Sequence, residues 1–152
     1  MTQFILNDSA RAGHPFYNLS DFAKGYVEAM FFTNCDNGDD GVSANHLGIE
    51  RLTRASVKAI KRDCDAFLSH IMPDGCTARH WIDKLSALDS PRYGNGCSDD
   101  RRAGHFFWYA RQGHGVSWTD DYASDIADGL IAASQLFGEC YPEISRGWIY
   151  YR

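Results

Sequence analysis

The chain has 152 residues, 44% of them hydrophobic and 14% aromatic, and a net charge of −5. That length and apolar content suit one domain burying about two-thirds of its surface, and they exclude a disordered chain. The acidic balance argues against a dedicated DNA or RNA binder, which needs dense positive charge to displace counterions from phosphates.

In chain order, residues 1–17 read as irregular and end in His14-Pro15. Ser20 can cap a helix to about Thr33, with Phe22, Tyr26, Ala29, Met30 and Thr33 on its inner face. CDNGDDG follows as a polar loop. Thr53 can cap a second helix to about Ile71. Its stripe is Val57, Ile60, Cys64, Phe67, Leu68 and Ile71, while Lys58, Lys61, Arg62 and Asp65 lie off it. Pro73-Asp74-Gly75 ends that helix, and Thr77 can cap a third that carries Trp81, Leu85 and Leu88 and closes at Pro91. Residues 92–104 read as a loop with at most a turn of helix.

HFFWYAR is predicted to be a strand from its aromatic content. A helix returns from Thr119 or Asp120 to Phe137, with Asp120, Asp121 and Asp125 in the turns where the helix dipole favours acids, and Gly138 stops it. The end, ECYPEISRGWIYYR, reads as strand, Arg146-Gly147 turn, strand, with Pro142 marking an edge or bulge. The expectation is one α+β domain over 1–152. An irregular segment (1–17) and a helical part (18–90) precede a strand–helix–hairpin part (104–152). Three to four helices pack on a small antiparallel sheet of about three strands in the C-terminal half.

No apolar run approaches the roughly 20 residues that span a bilayer. The N-terminal MTQFILNDSARAGH lacks the basic-then-apolar order of a secretory signal. Cys35, Cys64, Cys76, Cys97 and Cys140 include no CxxC pair, as suits reduced thiols. A soluble cytoplasmic protein is expected.

The segments YVEAMFF, LTRASVKAIKRDCDAFL, GHFFWYARQGHG and the terminal YP…RGWIYY resemble a family of small uncharacterised proteins encoded by phages, prophages and plasmids. The resemblance runs from about Phe22 to the end. Its central motif is matched at Gly104, His105, Phe107, Trp108, Arg111, Gly113, His114, Gly115 and Asp120, and the Asp63-Cys64 pair matches as well. The chain departs from it at Phe106, where the family usually has Asp, and at Thr119, where it usually has Trp. The resemblance implies a context rather than a chemistry. Accessory genes of mobile elements often encode proteins that bind and block host defence machinery such as CRISPR or restriction complexes, in the bacterial cytoplasm.

Three constellations offer candidate chemistry. His105, Arg111 and His114 could bind a phosphate, with a histidine as general acid or base, if a strand put His105, Phe107, Tyr109 and Arg111 on one face and His114 folded back towards Arg111. The structural alternative is imidazoles bonded to backbone at a tight turn and Arg111 paired with a carboxylate. Cys64, His70, Cys76 and His80 lack the tight pairs of a structural zinc site. The run from Asp36 to Gly41 resembles the start of a calcium loop, but its third position is Gly38 and its twelfth is Leu47, where a bidentate glutamate is needed. No metal and no cofactor are expected. Nor is there a GxSxG, Walker or GxGxxG sequence.

The charge is uneven: residues 51–90 carry seven bases against five acids, whereas residues 1–50 carry seven acids against two bases. The clusters Asp36/Asp39/Asp40, Asp99/Asp100 and Asp120/Asp121/Asp125/Asp128 could meet a basic partner surface, and Trp148, Tyr150 and Tyr151 could anchor it. The function expected first is therefore a non-catalytic, anti-CRISPR-like inhibitor that mimics nucleic-acid charge on a host nucleoprotein complex. A phosphate- or nucleotide-binding protein or phosphodiesterase using His105, Arg111 and His114 is one alternative. A structural or regulatory oligomer is the other.

Overall fold

The computed structural model describes residues 13–33, 48–88, 99–114, 117–118 and 125–151. Five α-helices lie among them: α1 (Asp21–Thr33), α2 (Arg54–Leu68), α3 (Ala78–Leu88), α4 (Asp99–Arg111) and α5 (Asp125–Gln135). Short 3-10 turns at Pro15–Asn18 and Ile49–Arg51 precede α1 and α2, and a hairpin of β1 (Glu143–Ser145) and β2 (Trp148–Tyr150) closes the chain. No described helix is long and apolar enough to cross a membrane.

The expected caps are in place. Ser20 Oγ accepts the Ala23 N–H (3.2 Å), Thr53 Oγ1 accepts that of Ser56 (3.1 Å), and Thr77 Oγ1 accepts that of His80 (3.2 Å). In the hairpin, Ile144 faces Ile149 across a two-residue turn in which Arg146 and Gly147 both have positive φ, 52° and 78°. That is the backbone a two-residue hairpin requires, and it explains why glycine stands at 147, while Arg146 takes the left-handed conformation without glycine's freedom. The hairpin is bound to α2, because the Ile149 carbonyl accepts the Thr53 N–H (3.2 Å) and the Tyr151 N–H donates to Ser56 Oγ (2.8 Å).

Among the described residues the sheet has two strands, where about three were expected. The segment expected as a strand, HFFWYAR, is the second half of α4, which begins at Asp99 inside the segment expected as a loop. The reason is burial on every side. Phe106, Phe107, Trp108, Tyr109 and Ala110 are all buried, and consecutive helical residues turn by about 100°, so each ring enters a different part of the core. Phe107 stacks on Phe67 (centroids 4.1 Å apart), while Trp108 meets Tyr26 edge-on (5.2 Å) and Phe106 tilts against Trp118 (5.8 Å). A strand would have directed these side chains alternately to only two faces.

α1 and α4 touch backbone to backbone. A Cβ added at Gly25 would lie 1.9 Å from the Arg101 carbonyl oxygen, and one at Gly104 would lie 1.9 Å from that of Phe22. The two glycines let α4 sink into the molecule, with α1 on one side and α5 on another.

Candidate functional site

Helix α4 carries both charged groups of the central motif, but on different faces. His105 and Arg111 are six residues apart, which is about 240° around a helix. The strand face expected to unite them does not exist.

His105 is buried and points to α1. Its Nε2 lies 3.3 Å from Oε1 of Glu28, which is fully buried and also accepts from Arg101 Nε at 2.6 Å. Nδ1 of His105 is buried without a hydrogen-bond partner among the described residues.

Arg111 points the other way, into a polar knot among four elements. Its Nη1 donates to Asp63 Oδ2 (3.0 Å) on α2, to the Tyr26 hydroxyl (3.0 Å) on α1 and to the Tyr151 hydroxyl (2.8 Å) after β2. Its Nε donates to the Gly138 carbonyl (2.6 Å) and its Nη2 to that of Phe137 (3.3 Å). Tyr151 donates in turn to Asp63 at 2.5 Å. Burial works against the Asp63 charge, but the hydrogen bonds from Tyr151 and Arg111 outweigh it and hold the carboxyl below its ordinary range. Burial drives both phenols, Tyr26 and Tyr151, far above theirs. Burial also opposes the charge on Arg111, yet the surrounding oxygens hold its proton more firmly than in free arginine. At neutral pH the knot is one ion pair with two neutral hydroxyls. The expected pairing of Arg111 with a carboxylate is what forms here.

His114 serves through its backbone. Its N–H reaches the Tyr109 carbonyl (2.9 Å) and that of Gly113 reaches Ala110 (3.1 Å), with Gly113 at φ 74°. These two bonds make a Schellman stop for α4. The exposed imidazole meets the Tyr109 ring edge-on at 5.9 Å. His114→Ala is therefore expected to shift stability by no more than about 0.5 kcal/mol, as at ordinary surface positions; a thermal melt checks this.

The cavities lined by described residues include three between the elements above. One of about 10 Å³ lies between α3, α4 and Trp118. A second, about 500 Å³, lies between the hairpin, His14 and the start of α2. The third, about 510 Å³, runs between the first 3-10 turn and α2. None is lined by His105, Arg111 or His114. No group of three or more His, Cys, Asp or Glu side chains arranged to hold a metal occurs among the described residues. Cys64 is a buried free thiol on the inner stripe of α2, and burial raises its pKa well above the ordinary value.

The residues expected at a partner surface divide. Asp125 and Asp128 are exposed in the first turns of α5, and no ion pair engages either among the described residues. Asp100 is half-exposed and paired with Arg79 (2.8 Å). Trp148 is 40% exposed beneath the Arg51 guanidinium, 5.2 Å from its ring centre, and Tyr150 is half-buried. Tyr151 is not a surface anchor, because it is buried in the Arg111 knot. Asp36, Asp39, Asp40, Asp120 and Asp121 lie outside the described residues, as does the side chain of Asp99.

Two groups of residues were missed in the sequence. Glu28 lies in YVEAMFF, one of the segments that carry the resemblance, but its burial against His105 and Arg101 was missed, since a glutamate on an otherwise apolar helix reads as solvent-facing. The exposure of Leu136 (73%) and Tyr141 (66%) was not expected, because exposure of single apolar residues leaves no trace in periodicity. Asp125, Asp128, Glu139 and Glu143, between the start of α5 and β1, are exposed as well. Comparison of the chain with protein-family models, with curated proteins and with solved structures finds no match in any of the three.

Proposed function

We propose that this is a non-catalytic binding protein of the mobile-element type. It docks on a basic surface of a host defence nucleoprotein complex and occupies ground meant for nucleic acid. The observation that carries this reading is the exposure of acids and apolar side chains along the chain from α5 to β1. Asp125, Asp128, Glu139 and Glu143 stand in solvent, as do Leu136 and Tyr141, and Tyr141 donates to Glu139. Carboxylates with no counter-charge among the described residues steer a basic partner, and an exposed ring and an exposed leucine supply apolar contact. The dispersal of His105, Arg111 and His114 among separate partners supports binding over catalysis.

The test is charge reversal. Asp125→Lys with Asp128→Lys is expected to leave the melting temperature within a few degrees of wild type. Both sites are exposed, and the cost of cations at a helix N-terminus is about 0.3–1 kcal/mol each. Retention of a basic complex from bacterial lysate on the immobilised chain should fall at least about tenfold and weaken with salt. Equal retention by the variant, or retention indifferent to salt, removes the reading.

A further inference from the structure

The third cavity belongs to a surface of opposite sign. Its floor is apolar, formed by Pro15 and Leu19 on one side and by Ala55 and Val57 on the other. Along its α2 side stand Arg54, Lys58 and Lys61. Those positions, four and then three residues apart, fall within about 60° of one another around the helix and span about 10 Å along it. Neither Arg54 nor Lys58 has a carboxylate partner among the described residues, and Lys61 makes only an exposed pair with Asp65 (2.6 Å). In a chain with net charge −5, an apolar trough rimmed by three cations is the reverse of the general surface.

We propose that this trough is a docking site for an acidic, apolar-anchored helix of a partner protein. Charge complementarity and shape argue for that occupant. Carboxylates at i and i+4 on a helix repeat at the same spacing as Arg54 and Lys58, and an apolar stripe between them meets the floor. The open volume, about 510 Å³, leaves room for the apolar side chains of such a helix. Nucleic acid fits less well, because the floor has no aromatic face on which a base could stack. In the neighbouring cavity, Trp148 already has the Arg51 guanidinium 5.2 Å from its ring centre, and Glu50 adds a carboxylate that would repel phosphate.

Fluorescence anisotropy tests it. The probe is a labelled helical peptide with leucine at i, i+3 and i+7 and glutamate on both flanks, measured beside the same peptide with every glutamate changed to glutamine. Labelled oligothymidine and phosphatidylcholine–phosphatidylserine vesicles are the competing ligands. The acidic peptide is expected to saturate the wild-type chain. Its affinity should drop at least about tenfold in the glutamine version, in Ala55→Glu with Lys58→Glu, and on raising salt from about 0.05 to 0.3 M. Ala55 and Lys58 are both exposed, and if that variant melts early the glutamine peptide still carries the test. No saturation, equal affinity for the two peptides, or stronger binding of the oligonucleotide or vesicles overturns the proposal.

Discussion

Arg111→Ala is expected to destabilise the protein by about 3–5 kcal/mol, the usual cost of removing one partner from a buried ion pair. Five acceptors lose a donor together: the Asp63 carboxylate, the Tyr26 and Tyr151 hydroxyls, and the carbonyls of Phe137 and Gly138. Against a total stability of about 5–15 kcal/mol for a domain, that is a large share, and the melting temperature should drop by roughly 6–20 °C. Arg111→Lys should recover only part of the loss, because one ammonium cannot spread its donors as the guanidinium fork does. The knot also sets an acid limb. The Asp63 pKa is depressed, so its pairing contributes fully above the unfolded-state value of about 3.9 and is lost as the pH falls through the folded-state value. Wild type should shed stability below about pH 4. Arg111→Ala should show less of that limb, since the pairing is already gone. Denaturant titrations at neutral and acid pH measure both effects.

Gly104→Ala is the second large effect. On helix propensity alone the change should stabilise by about 1 kcal/mol. Yet the added methyl would lie 1.9 Å from the Phe22 carbonyl oxygen and 2.8 Å from the Tyr26 nitrogen. Both are main-chain atoms, so no side chain can rotate away, and α1 and α4 must separate. Overpacking costs about 1–3 kcal/mol where side chains yield, and occasionally more; with backbone on both sides, a net loss of about 3 kcal/mol or more is expected. The separation would also open the stack of Phe107 on Phe22 and Phe67, which near-ultraviolet circular dichroism would report. Gly13→Ala, where nothing lies within 4 Å of the added carbon, is the neutral control. A stabilising Gly104→Ala would mean that α1 and α4 do not touch.

What could be read in advance follows from how local each signal is. Ser20, Thr53 and Thr77 act on the N–H groups three residues ahead, and Arg146-Gly147 sets its own turn, so caps and hairpin were legible. HFFWYAR was not. A run of consecutive apolar residues has no period to read, and its aromatics favour a strand only when nothing else intervenes. Two local signals did favour a helix, Asp99-Asp100 at its start and Gly113 as its stop. The same use of glycine was recognised at Gly138. The candidate site shows the same division. Asp125 and Asp128 were legible because early helical turns favour exposed acids. Tyr151 was assigned to the surface because its burial depends on Tyr26, Asp63 and Arg111, which are distant in the chain. The role of Arg111 was legible in kind, as a partner for a carboxylate, though not in the identity of Asp63.

The proposed function places the contact on the exposed acids of α5 and not on the histidines of the central motif. The direct measurement is displacement of target DNA from purified CRISPR and restriction complexes, by electrophoretic shift, with wild type, His114→Ala and Asp125→Lys with Asp128→Lys. Wild type and His114→Ala are expected to displace the DNA equally from at least one complex, and the charge-reversed chain at least about tenfold less well. Loss of activity in His114→Ala with the charge-reversed chain intact, or no displacement by wild type from any complex, would contradict it.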